Sequence, residues 1–164
     1  MAAGETLLAW NATANHPPAS NFATFDTRNT HPVLDFDDTV DENAHFGGVL
    51  PRYYNGGGII VQLVWLATTA TTGSCRWAVA FERHQDEVTD LDVDDFAAAK
   101  TADATPAATN GAPQYTEISF SNSEIDGLLM SESFRLRVTR QGSNAADTMV
   151  GDAELLRVAL REAP

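Results

Sequence analysis

The sequence predicts an all-β domain: an antiparallel β-sandwich of jelly-roll type, with about eight strands and at most one short helix. Three observations predict it. Several segments alternate apolar and polar residues, the period-2 pattern of a half-buried strand. Stretches rich in Gly, Pro, Asn, Asp and Ser separate them. Nowhere do strand patterns alternate with long helical ones, which argues against a parallel α/β sheet.

The organising stretch is Gly56 to Glu82. Ile59 to Ala67 is nearly all apolar, β-branched or aromatic, and is expected to be buried on both faces. Cys75 to Glu82 alternates, with Cys75, Trp77, Val79 and Phe81 on one face and Arg76, Ala78, Ala80 and Glu82 on the other. Thr68 to Ser74 between them has a turn composition, so the two segments are read as a hairpin. Gly56-Gly57-Gly58 before them implies positive φ or close backbone approach.

In chain order, residues 1–20 are read as an extended N-terminal arm and residues 21–164 as one β-sandwich domain. The arm carries Trp10, and its Pro17-Pro18 pair donates no backbone hydrogen bonds. Asn21 to Thr27 is a strand anchored by Phe22 and Phe25. Pro32 to Asp37 follows with Val33, Leu34 and Phe36. Asp37 to Glu42 is an acidic link, and His45 to Pro51 a short strand or turn. After the central stretch, Asp94 to Lys100 is expected as one or two helical turns, with aspartates at its start and a lysine at its end. Thr101 to Pro113 is an exposed loop. Gln114 to Asn122 is a strand, and Ser123 to Ser131 a turn with apolar plugs. Ser133 to Arg140 alternates, with Phe134, Leu136 and Val138 inward. The last strand, Glu154 to Glu162, puts Leu156, Val158 and Leu160 on one face and Leu155 on the other.

The chain has 164 residues and 43% hydrophobic residues, enough for one domain with a sizeable core. With a single cysteine no intrachain disulfide can form, and Cys75 is read as a small core residue. The net charge of −13 disfavours nucleic acid and anionic membrane as partners, because neutralising phosphates needs cations. No apolar run reaches membrane-span length. The opening MAAGETLLAW has no basic region and does not resemble a signal peptide. Asn11-Ala12-Thr13 fits a glycosylation acceptor by chance.

Candidate sites are few. Asp90, Asp92 and Asp94 alternate as oxygen ligands of a cation would, but the glycine and distal glutamate of a calcium loop are missing. The competing reading is a solvated edge with Leu91 and Val93 facing in. The four histidines lie apart, no Gly-x-Ser-x-Gly elbow is present, and Gly56–Gly58 lacks the lysine of a phosphate loop. No catalytic residue, cofactor or metal is expected. Trp65 and Trp77 are assigned to the core. Tyr53-Tyr54 is either a stacking platform for sugars or a sheet-end contact.

The stretches Leu50-Pro-Arg-Tyr-Tyr-Asn-Gly-Gly-Gly-Ile-Ile-Val-Gln-Leu-Val-Trp65 and Phe134-Arg-Leu-Arg-Val-Thr-Arg140, with Gly151-Asp-Ala-Glu-Leu-Leu-Arg-Val158, resemble small β-sandwich virion proteins of tailed bacteriophages. The resemblance implies a non-enzymatic protein, a trimer, that decorates or cements the outer surface of a capsid. Its partner would be the major capsid protein. Contact residues would be Trp10, Pro17 and Pro18 on the arm, and Tyr53 and Tyr54 at a sheet edge. The runner-up readings are a tail or head-fibre domain that binds host glycans, and a carbohydrate-active enzyme. Glycan binding requires exposed aromatics in a groove; an enzyme requires two carboxylates facing across a cleft.

Overall fold

The alternating segments do fold as strands. The computed structural model describes residues 4–164. Ten strands run through them: β1 (Thr6–Asn11), β2 (Thr24–Arg28), β3 (His31–Phe36), β4 (Asp41–Val49), β5 (Ile59–Ala67), β6 (Cys75–His84), β7 (Lys100–Ala104), β8 (Gln114–Phe120), β9 (Ser133–Gln141) and β10 (Ala153–Glu162). Two 3-10 turns, Ala12–Ala14 and Asn122–Ile125, complete the secondary structure. One sheet has the order β2-β3-β10-β5-β8, with β1 also paired to β10; the other has β4-β9-β6-β7. All of these strand pairings are antiparallel. The expected all-β sandwich is therefore what forms. No helix among the described residues is long and apolar enough to cross a membrane.

The core lies between the sheets. Trp65 of β5 and Trp77 of β6 meet edge to face at 5.6 Å between ring centroids, and Phe36 meets Trp77 at 5.1 Å. This geometry corrects the expected hairpin. β5 pairs with β10 and β8, whereas β6 pairs with β9 and β7. Thr68–Ser74 crosses from one sheet to the other, because the facing tryptophans bury their rings against each other and not side by side. The burial expectation is also reversed. β5 alternates, with Ile60, Gln62 and Val64 half-buried. β6 is the strand covered on both faces: Ala78, Ala80 and Glu82 are buried on its outer side. Beside it runs the segment 85–99, whose Ala97 N–H donates to Phe81 O at 2.8 Å along the strand edge. Phe96 in that segment packs over the guanidinium groups of Arg135 and Arg137 at 4.8 and 4.5 Å.

The expected helical turns at 94–100 do not form. The Asp95 carboxylate accepts the Phe96 N–H, and Lys100–Ala104 joins the sheet as β7, replacing part of the expected loop. Sheet pairing overrides the helix propensity of a run of only three alanines. Nor do Leu91 and Val93 face in. The 85–95 segment is a pair of turns, and Val88, Leu91 and Val93 are 67%, 59% and 79% exposed. Residues 6–11 of the expected arm form β1 in register with Arg157–Arg161 of β10. A register shift between Leu155 and Arg157 turns Leu155, not Leu156, onto the core face with Val158 and Leu160.

Candidate functional site

The chain leaves β1 through a capped turn. Asn11 Oδ1 accepts the Thr13 N–H at 3.0 Å and opens the first 3-10 turn. The next residues are tied to β4: Asn15 Oδ1 accepts the His45 N–H at 3.0 Å, and His16 N–H donates to His45 O at 2.8 Å. Asn21, at φ 51°, bends the chain back, and Ala23 N–H and Asn43 N–H exchange bonds with Asn43 O and Asn21 O. One residue later β2 begins, on the edge of the opposite sheet. The crossing at the open side of the sandwich creates a groove of about 300 Å³ with Leu34 in its floor. Phe22 and Phe25, read as the anchors of a strand over Asn21 to Thr27, line this groove at 45% and 55% exposure. Its polar lining is Thr13, Asn15 and Thr24, and Pro17 forms part of the wall.

A second cavity, of about 370 Å³, lies on the outer face of the β2-β3-β10-β5-β8 sheet over Val33, Leu66 and Leu156. Its lining contains no Phe, Tyr or Trp, only the imidazole of His31. Its one arginine, Arg28, is occupied by Ala67 O, Thr68 O and the Glu154 carboxylate. The smaller groove, by contrast, combines exposed phenyl rings with uncharged polar side chains.

The other anticipated residues are distributed as follows. Trp10 is half-buried, donates from Nε1 to Gly47 O at 3.1 Å and packs on Phe46 and Phe134. Pro18 is half-buried beside the groove residue Pro17. Tyr53 is 42% exposed, whereas Tyr54 is buried and its hydroxyl receives the Gly58 N–H at 3.1 Å. The two tyrosines thus form no common platform. Asp90, Asp92 and Asp94 are exposed, and Asp90 Oδ1 accepts the Asp92 N–H within its own turn. The acids that do converge are Asp37, Asp38 and Asp152, whose carboxylate oxygens lie within 4.8 Å of one another. They come from two distant segments, and spacing along the chain gives no sign of them.

Elsewhere the electrostatics are those of an acidic chain. Asp35 stands directly across from Glu154, with one buried carboxylate oxygen unpartnered. Burial first, then the charges of Glu154, Asp26 and Asp152, lifts its pKa from 3.8 to about 7. The folded state therefore holds this proton more tightly than the unfolded chain, and stability is lost as pH rises from about 4 through about 7. Asp35→Asn is expected to melt with the wild type at pH 4 and above it at pH 8, in thermal scans at both values. Equal melting at pH 8 would show that Asp35 ionises without strain. His45 is driven the other way, to about 4, by burial and by Arg135 and Arg137, so its ring is neutral at neutral pH.

No family model and no curated protein matches this sequence. Solved structures do share its fold. The CBM22-1 xylan-binding domain of Paenibacillus barcinonensis Xyn10C superposes with a TM-score of 0.54 at 11% identity, covering 98% of this chain and 96% of that domain. A family 35 carbohydrate-binding module from an environmental isolate gives 0.52 at 10% identity, covering 94% and 92%. An arabinose-bound α-L-arabinofuranosidase gives 0.53 at 11% identity, and there the chain covers 90% of itself and spans about a quarter, 23%, of the enzyme. At these identities the likeness is one of fold. It corrects the expectation drawn from the virion resemblance: the folds that match belong to carbohydrate-binding modules and carbohydrate-active enzymes, not to capsid-decoration proteins. The cementing role, the major capsid protein as partner, the shell-bound trimer and the outer-capsid location fall with it. The resemblance had rested on strand stretches such as Ile59–Trp65 and Phe134–Arg140 with the turn residues before them, and unrelated β-sandwiches share such stretches because they bury the same kinds of residue.

Proposed function

We propose that this chain is a non-catalytic carbohydrate-binding module whose ligand lies in the Phe22–Phe25 groove. The observation that carries the reading is two strongly exposed phenyl rings lining one groove with hydroxyl and amide side chains and no charge. The C–H face of a sugar ring is apolar and stacks on an aromatic face, while its hydroxyls need neutral donors and acceptors. The fold supports the reading: the chain superposes over nearly the whole of two carbohydrate-binding domains and over only a quarter of the arabinofuranosidase. Hydrolysis of a glycoside requires two carboxylates flanking the bond, and the groove's lining contains none. Asp35 and Glu154 face each other on adjacent strands of one sheet, and Glu154 is held by Arg28 at 2.8 Å.

The test is a glycan array followed by calorimetric titration of the strongest hit. Phe22→Ala and Phe25→Ala should each weaken binding about tenfold, a loss of about 1.4 kcal/mol. Because both rings are largely solvent-exposed, thermal unfolding should barely move. Binding that survives the double substitution undiminished would place the glycan elsewhere. Release of reducing sugar from the hit would overturn the non-catalytic assignment.

A further inference from the structure

Resting on the glycan-binding reading, we infer that the groove takes a neutral glycan and rejects uronate and sulfated ones. The lining contains no Lys, Arg, Asp or Glu. His16, between Asn15 and Pro17 in the chain, turns its ring toward Gly47 instead. The charged residues adjoining the lining segments, Asp26 beyond Phe25 and Asp35 beyond Leu34, are both acids. What the groove offers is neutral. Asn15 has its Oδ1 engaged by the His45 N–H, which leaves its amide NH₂ as a donor. Thr13 donates its hydroxyl proton to Asn11 Oδ1, which leaves its oxygen as an acceptor. Thr24 adds an exposed hydroxyl.

An anionic group brought here would lose hydration without gaining a cation. It would also approach a chain of net charge −13. The repulsion is long-ranged at low salt and fades within a Debye length as salt rises. Several arginines are already engaged: Arg28 with Glu154, Arg76 with Asp103, Arg83 with Glu132, Arg140 with Asp147, Arg161 with Glu117, and Arg135 and Arg137 under Phe96; Arg157, exposed on β10 in register with Asn11, is outside the groove's lining. Charge thus decides the class of sugar, and the phenyl rings supply the affinity.

The experiment compares matched oligosaccharides by calorimetry: xylohexaose, cellohexaose and galactotetraose against oligogalacturonate and a sulfated galactan oligomer. Each is titrated at about 20 mM and about 300 mM NaCl. The best neutral ligand should bind at least about tenfold tighter than any acidic one at the lower salt. Its affinity should hold within about twofold across the two salts, while that of the acidic ligands rises as repulsion is screened. Thr24→Lys, which puts a cation in the groove wall, should raise acidic-ligand affinity relative to that of the neutral ligand and narrow the ratio between them. An acidic oligomer that binds tightest, weakens with salt and is lost in Phe22→Ala would overturn this inference and leave the glycan-binding reading standing. No binding by any member of the set or of the array would overturn both.

Discussion

Asp147→Ala is expected to cost about 3–5 kcal/mol of folding stability, read as a lowered urea midpoint. The reason lies in what it leaves behind. Arg140 and Asp147 both have wholly buried side chains and meet in a two-bond pair, Nη2 to Oδ1 at 2.8 Å and Nε to Oδ2 at 2.9 Å. The remaining guanidinium protons go to Phe36 O at 3.1 Å, Gly151 O at 2.8 Å and Met149 O at 2.7 Å. Each of the guanidinium N–H groups thus has an acceptor, and one side chain ties β3 to the loop that precedes β10. Removing the carboxylate strands a buried cation and frees the Arg76 N–H, which Asp147 Oδ2 accepts at 2.9 Å. Asp147→Asn retains an acceptor of the same shape and should lose less. If alanine and asparagine lose equally little, Arg140 reaches water in the folded state and its burial does not govern stability.

The second large effect is expected at Gly58, where alanine should destabilise by about 2–4 kcal/mol. Gly58 sits at φ +107° immediately before β5, and a Cβ there would stand 2.4 Å from Phe120 O and 3.3 Å from Ser121 Cα. Both obstacles are backbone, so neither can rotate away. The residue cannot shift freely either, because its N–H donates to the Tyr54 hydroxyl and its carbonyl accepts the Ala163 N–H. Gly57 provides the control: the nearest atom to its Cβ position is Ala163 O at 3.8 Å. Gly57→Ala should therefore stay within about 0.5 kcal/mol of the wild type or gain slightly from a less flexible unfolded chain. Chemical denaturation of the two variants side by side decides the matter. Equal losses at both positions would mean that chain flexibility, not the approach of Phe120, sets the requirement for glycine.

These sites differ in how far the sequence announced them. The glycine run was legible, since three consecutive glycines before a strand call for a backbone that L-residues avoid. Arg140 was half legible. Alternation with Phe134, Leu136 and Val138 puts it on the core face, while its charge argues for the surface. The conflict itself marked a buried partner, but Asp147 could not be named because it approaches through a loop. The groove was misread. Phe22 and Phe25 stand three apart, so a single strand could not have buried both on one face. That mismatch was the available signal that Phe22 lies outside the strand that holds Phe25.

What the sequence determined by itself is the all-β sandwich, the placement of most of its strands, and the burial of Trp65, Trp77 and Cys75. These follow from period and side-chain volume, which act locally along the chain. Only the tertiary structure decided that β5 and β6 belong to different sheets. It also decided that Phe96 packs over Arg135 and Arg137, and that an edge crossing leaves two phenylalanines in the open. Each of those outcomes depends on which strand edges find one another across many intervening residues. A period-2 pattern fixes which way side chains point but says nothing of which neighbour they meet.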